Sequence, residues 1–263
     1  MPGMGFSSED ATQFQAAFRT RYPALFSQLA RIEDHARFLL GQFRLDKEDV
    51  QGILIAGYFS RAIDNAHASV VVAERGLTIQ GRILSRAALE SQFSLRACLS
   101  GEFCEKLVAA DITKRKKMLR KMESLSKIAK VQRLDEMLAS DKIKKFENEA
   151  LNLNAPDIPI AEIAKAGGCQ DLYLGIYTTL SAAVHSTVYD IERALVVSDD
   201  GRVLALTAGP NMAEAAGVFV GGIEVLLDVS MAAAAYLDMD FMDYWQSEHD
   251  TLRQIAEAML AGA

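Results

Sequence analysis

The chain has 263 residues, of which 50% are hydrophobic, 24% charged and only 5 proline. That length suits one large domain or two small ones, and the composition excludes intrinsic disorder, a collagen-like repeat and a proline-rich linker. With 28 Lys+Arg against 35 Asp+Glu the net charge is −7, so the molecule as a whole is not a generic polyanion binder.

The first ten residues carry neither a basic stretch nor an apolar core, so no signal peptide is expected. Ser7, Ser8, Glu9 and Asp10 instead supply N-terminal helix chemistry ahead of Phe14, Ala17, Phe18 and Leu25. Asp46 and Glu48 open a second helix carrying Val50, Ile53, Leu54, Tyr58, Ala62 and Val70, and Gly76 stops it. A third runs from Thr78 to Gly101, and its tight connection to the second predicts antiparallel neighbours. From Phe103 to about Glu149 apolar residues recur at helical spacings without a proline, until Pro156 and Pro159.

A helix is predicted over 170–193. The period then changes: Leu195, Val196 and Val197, a Ser198-Asp199-Asp200-Gly201-Arg202 turn, and Val203 to Leu206 read as a β-hairpin near 195–207. Two helices follow, 213–237 and 244–260. The first is long, but Glu224 and Asp228 interrupt it, so it is expected to be a buried helix and not a membrane span. Its Gly217 and Gly221 form a GxxxG, read as close packing of two buried helices. Strands and helices do not alternate, which excludes a doubly wound nucleotide fold. The predicted fold is mainly α: a multi-helix bundle with one small hairpin, spanning 1–263 as a single domain. Residues 1–45 form an N-terminal helical extension, 46–237 the core and 238–263 a C-terminal helix.

No phosphate-binding glycine loop and no HExxH occurs, and His35, His67, His185 and His249 have no carboxylate or cysteine at ligand spacing, so neither a metal nor a cofactor is expected. The three cysteines, Cys98, Cys104 and Cys169, form no CxxC pair, and an odd count suits a reducing cytoplasm. The informative pattern is Tyr173, Tyr177, Ser181, His185 and Tyr189, each four residues apart and so one stripe along a helix. If buried, these groups need partners, and Arg82, Arg86, Glu90 and Ser94 offer a second stripe of the same spacing. Two readings are open. One is a structural polar network. The other is a site in which His185 is a general base, Arg86 or Arg82 holds a phosphate, and Ser181 is a less suitable nucleophile because no GxSxG elbow exposes it.

The R-x-x-x-E at Arg86 and Glu90, the Y-x-x-x-S-x-x-x-H at Tyr177, Ser181 and His185, and a hairpin ending in Gly209-Pro210 resemble a bacterial helical family of unknown function that is similar to the HEPN superfamily. The resemblance covers roughly 50–237. It implies a HEPN-like bundle, dimerisation, and RNA binding or metal-independent RNA cleavage in a defence or toxin system, with His185, Arg86, Glu90, Ser181 and Tyr177 as the catalytic candidates. The HEPN R-x4-6-H pattern is met at Arg61 and His67 and not around His185. Six residues turn a helix by about 600°, however, which separates those two side chains.

Charge is segregated along the chain. Between Lys106 and Lys145 lie thirteen basic and five acidic residues, a local +8 that leaves −15 for the rest. Lys114, Lys117, Arg120, Lys121, Lys127 and Lys130 are the candidate nucleic-acid contacts. The same stripe could dock on the acidic segment of Asp238, Asp240, Asp243, Glu248 and Asp250 in a second copy, so a homo-oligomer is expected, with RNA as a partner and no membrane. The competing function is a noncatalytic interaction or scaffold protein whose polar stripe is structural.

Overall fold

The computed structural model describes residues 8–129, 155–185, 188–192, 194–206 and 209–261. The fold is mainly α-helical, and its one described sheet is a two-stranded antiparallel hairpin. The predicted initial helix is two: α1 (Ser8–Arg21) and α2 (Pro23–Leu40). Pro23 disfavours a helical Tyr22 and lacks an N–H, yet it is well suited to the first position of the new helix, which explains the break.

Helix α3 (Val50–Ala73) is capped by Asp49, whose carboxylate accepts from the Gly52 N–H at 2.8 Å. Gly76, at φ +81°, turns the chain into α4 (Thr78–Cys98). The two helices are antiparallel: Gln51 at the start of α3 donates to the Cys98 carbonyl at the end of α4, 2.8 Å away, while Gly81 lies against Ser69 and Val72. Next come α5 (Gly101–Ala129) and a short α6 (Ile160–Ala166), which the sequence reading omits. The predicted continuation of α5 towards residue 149 lies outside the described residues. Helix α7 has three segments, Gln170–Leu172, a π turn at Tyr173–Tyr177 and Thr178–His185. After α8 (Val188–Glu192), strands β1 (Leu195–Val197) and β2 (Val203–Leu206) pair around Gly201, at φ +81°. Helix α9 (Met212–Tyr236) is capped by Asn211, and α10 (Met242–Ala261) follows.

Helix α9 is central, packing on α2, α3, α4 and α10. It is long and apolar enough to cross a membrane by composition, and 67% of its most apolar window is buried in the bundle. It runs antiparallel to α3 and parallel to α4. Gly222 meets Ala66 and Val70 while Tyr236 reaches Asp49, and Val218 meets Gly81 while Asp228 meets Gln92. The segment read as an extension puts Phe18, Leu25, Ile32 and Leu39 into the same core, fully buried. Phe26 packs edge-on against Phe219 of α9 at 4.7 Å. Helix α10 is fastened to α2 by Glu248, which accepts from Arg31 at 2.8 and 2.9 Å and, through its carbonyl, from Gln28 at 2.7 Å. Fully burying a side chain such as Phe18 or Trp245 contributes about 1.5–3 kcal/mol.

Candidate functional site

The two polar stripes meet at one point. Tyr177 donates to Glu90 Oε1 at 2.8 Å and accepts from Arg86 Nε and Nη2 at 3.2 and 3.0 Å, and Arg86 Nε also reaches Glu90 Oε1 at 3.1 Å. The Tyr177 ring is buried, stacks on Tyr173 at 5.2 Å, lies 5.8 Å from Phe93 and has the Arg86 guanidinium 5.1 Å from its centre. Burial, then the Glu90 carboxylate, push its hydroxyl above the usual tyrosine range, so it stays protonated and serves as a donor. Each of the three groups therefore has its partners within the cluster.

Ser181 and His185 stand apart from it. The Ser181 hydroxyl donates to its own helix, at the Tyr177 carbonyl 2.9 Å away, and His185 is exposed at the end of α7. The reason is geometric. Positions four apart on an α-helix are about 40° apart, so eight residues carry His185 about 80° around and 12 Å beyond Tyr177. Ser94, at the far end of the α4 stripe, likewise donates to the Glu90 carbonyl at 2.9 Å. The Tyr189 side chain lies outside the described residues. His67 is held by Glu33 on α2, and Arg61 is exposed elsewhere on α3.

On α5, Lys114, Arg120 and Lys121 are exposed and have no ion-pair partner among the described residues. Lys117, also exposed, is paired with Asp157 at 3.1 Å, and Arg115 with Asp111 at 2.6 Å. Lys130 and the Lys127 side chain lie outside the described residues. Burial holds the Cys169 thiol up at about 11 and raises Cys98 and Cys104 too, so none of the three is a thiolate at neutral pH. Among the described residues no three His, Cys, Asp or Glu are grouped to hold a metal.

The sequence reading passed over a cavity of about 510 Å³ between α4, α7, α9 and α10. Helix α4 contributes Arg82, Ser85, Leu89 and Gln92, on a different face from Arg86 and Glu90. The apolar face of α7 adds Leu172, Ile176 and Leu180; α9 adds Glu214, Gly217, Gly221, Glu224 and Asp228; and α10 adds His249. The glycine pair read as helix packing does something else. A Cβ on Gly217 or Gly221 would meet nothing within 4 Å, because these residues border the cavity, while the close helix contacts are made by Gly222 and Gly81.

Polar order in the cavity starts from Asp228, which accepts from Arg96 Nη1 at 2.7 Å and from Gln92 Nε2 at 2.7 Å. A carboxylate held by a guanidinium only accepts, so the Gln92 amide must present its nitrogen to it and turn Oε1 away. Gln92 Oε1 and Ser85 Oγ, in residues only 2% and 6% exposed, have no hydrogen-bond partner among the described residues and are closed off from the cavity space as well as from solvent. Glu224 is exposed at the mouth of the cavity, where the protein packed around it raises its carboxyl above the ordinary 4.5. A signal for this site was legible: Glu214, Gly217, Gly221, Glu224 and Asp228 repeat at three- and four-residue spacings, a polar and glycine-lined face on an otherwise apolar helix.

The fold and these sites define a helical bundle with a hairpin appended and a cavity at its side. Residues 52–202, over half the chain, match a family of unknown function, DUF5677, and the protein belongs to that family. No curated protein and no solved structure matches the chain.

Proposed function

We propose that this protein binds a small, mostly apolar ligand in the cavity between α4, α7, α9 and α10, and that the Arg86–Glu90–Tyr177 cluster is a structural network rather than a ribonuclease centre. The observation that carries the reading is the cavity itself, about 510 Å³, walled by Leu89, Leu172, Ile176 and Leu180 with Glu224 and His249 among its few polar side chains. A cavity of this size with an apolar lining and a few convergent polar groups suits a small-molecule site. Against catalysis at the predicted cluster stands its closure: Tyr177, Arg86 and Glu90 satisfy one another, and the exposed His185 is too distant to take a proton there.

The test uses 2-phenylethanol, a neutral probe small enough for the cavity, titrated while the His249 ring signals are followed by NMR. Saturable shifts are expected in the parent protein and none in Gly221→Leu, whose new side chain would occupy the space. Equal behaviour of the two proteins would refute the site.

A second reading is favoured by Lys114, Arg120 and Lys121, three exposed cations on one stretch of α5 with no ion-pair partner among the described residues. With the HEPN resemblance, they support weak, nonspecific RNA binding as a noncatalytic function. Each neutralised phosphate releases condensed counterions. Replacing Lys114, Lys117 and Lys121 together should therefore flatten the salt dependence of RNA binding without changing stability. Absence of RNA binding by the parent at low salt would end that reading.

A further inference from the structure

We infer that the cavity takes an unbranched aliphatic chain, laid along the helix axes with its polar group at one end. The inference rests on the cavity being the ligand site and concerns the shape that site selects.

Three helices line the cavity side by side, and their contacts fix how they align. Helix α9 is parallel to α4, because Val218 meets Gly81 and Asp228 meets Gln92. Helix α7 is antiparallel to α4: Gly167, just before α7, lies against Phe93 and Ala97, and Tyr177 reaches Arg86 and Glu90. All three helices rise by about 5.4 Å per turn, so the lining residues fall into levels. Leu172 and Asp228 stand level with Gln92, Ile176 and Val225 with Leu89, and Leu180 and Gly221 with Ser85. Arg82 and Gly217 come next at the far end. From Arg82 to Gln92 the row is about 15 Å long.

The cavity is therefore a straight trench, and its walls suit a chain. On α7 the wall is Leu172, Ile176 and Leu180. Residues four apart on an α-helix drift by about 40° per step. The wider π turn at Tyr173–Tyr177 takes more residues per turn and offsets that drift, which keeps the row in line. On α9 an added Cβ at Gly217 or Gly221 would meet nothing within 4 Å, so a chain can lie against the helix backbone itself. The floor at the middle is Leu89, and the neighbouring Ser85 Oγ is closed off from the space. Charge stands at the ends: Arg82 and Glu214 at one and Asp228 at the other, while Glu224 is exposed at the mouth. An apolar middle between charged ends leaves a ligand only its own end for a polar group. An extended carbon chain advances about 1.3 Å per bond of roughly 1.5 Å, so on the order of twelve carbons match the row. A compact ligand would fill only part of it.

The experiment titrates decan-1-ol and its compact isomer 4-propylheptan-4-ol, which contain the same atoms, into the parent protein while the His249 ring and leucine methyl signals are followed by NMR. Decan-1-ol is expected to bind about tenfold more tightly, because more of its methylenes are buried. Along the series butan-1-ol, hexan-1-ol, octan-1-ol and decan-1-ol, each added pair of methylenes should tighten binding about tenfold. Gly217→Leu fills the Arg82 end of the trench and should leave hexan-1-ol binding as before while removing the gain from octan-1-ol to decan-1-ol. Equal affinity of the two decanols in the parent would overturn the inference while leaving the cavity a ligand site, and this comparison needs no variant to fold. A chain-length gain that survives intact in Gly217→Leu would place the chain outside the row and overturn it as well. Failure of every alcohol to bind would instead remove the ligand site, and the inference with it.

Discussion

Gly221 and Gly222 are neighbours near the middle of α9, and one added methyl group should move stability in opposite directions at the two positions. A glycine inside a helix is disfavoured by roughly 0.5–1 kcal/mol relative to alanine, because the unfolded chain loses more freedom there. That gain is common to Gly221→Ala and Gly222→Ala. At Gly221 the new Cβ meets nothing within 4 Å, so the gain is realised in full. At Gly222 it would lie 2.8 Å from Val70 Cγ2, 3.2 Å from Ser69 Oγ and 3.4 Å from the Ala66 carbonyl, with α3 close-packed behind them. Overpacking of this kind costs about 1–3 kcal/mol. Because the propensity gain cancels between the variants, their difference isolates the steric cost. At roughly 2–4 °C per kcal/mol for a chain of this length, Gly221→Ala should melt up to about 4 °C above the parent and Gly222→Ala well below Gly221→Ala. Urea unfolding followed by two coincident probes measures both differences in free energy. A Gly222→Ala protein as stable as Gly221→Ala would refute the assignment of one glycine to the cavity and the other to the helix contact.

Tyr177→Phe removes a hydroxyl bonded to both Arg86 and Glu90 and should lower stability by about 1–2 kcal/mol, while His185→Ala should stay within about 0.5 kcal/mol; a larger loss in His185→Ala by thermal melting would contradict the structural reading of the cluster. Glu248→Gln places an amide nitrogen against the Arg31 guanidinium and should cost about 1–2 kcal/mol, seen as faster hydrogen exchange over Met242–Ala261 and not over α3. Because burial raises the Glu224 carboxyl, the folded protein holds that proton more tightly than the unfolded chain, and the stability this contributes below pH 4.5 is lost as pH rises through the folded value. Glu224→Gln escapes that loss, so it should be the more stable protein at neutral pH, with the gap closing below pH 4.5 in denaturant titrations; a gap independent of pH would show that Glu224 does not feel its burial.

The helices and the hairpin were legible because periods of 3.6 and 2 are written directly into the hydrophobic pattern. Boundaries were less so. The Tyr22–Pro23 break lies inside an unbroken apolar periodicity, and α6 is only seven residues long, too short for a periodic signal. In the candidate site, the meeting of Tyr177 with Arg86 and Glu90 was legible from spacing alone. The extension of the stripe to His185 was not, since a four-residue repeat drifts by about 40° per step and only a facing helix decides where contact ends. The cavity was legible only in part: the spacing of Glu214, Gly217, Gly221, Glu224 and Asp228 marks a polar face on α9, but small residues on a helix face are compatible with close packing or with open space, and the sequence around Gly217 and Gly221 is the same for both.

The cavity is built from two parts of the chain that meet through few polar ties. Its α4 and α7 walls lie within the residues that match the family, whereas α9 and α10 follow them. Asp228 bridges the two halves by holding Gln92 and Arg96 of α4. That contact sets the seating of α9 against α4, so the width of the cavity depends on one carboxylate. Asp228→Asn keeps the size of the side chain but takes the negative charge out of two hydrogen bonds, and it should lower stability by about 1–2 kcal/mol in urea unfolding. An Asn variant as stable as the parent would refute the idea that this carboxylate ties the two parts together.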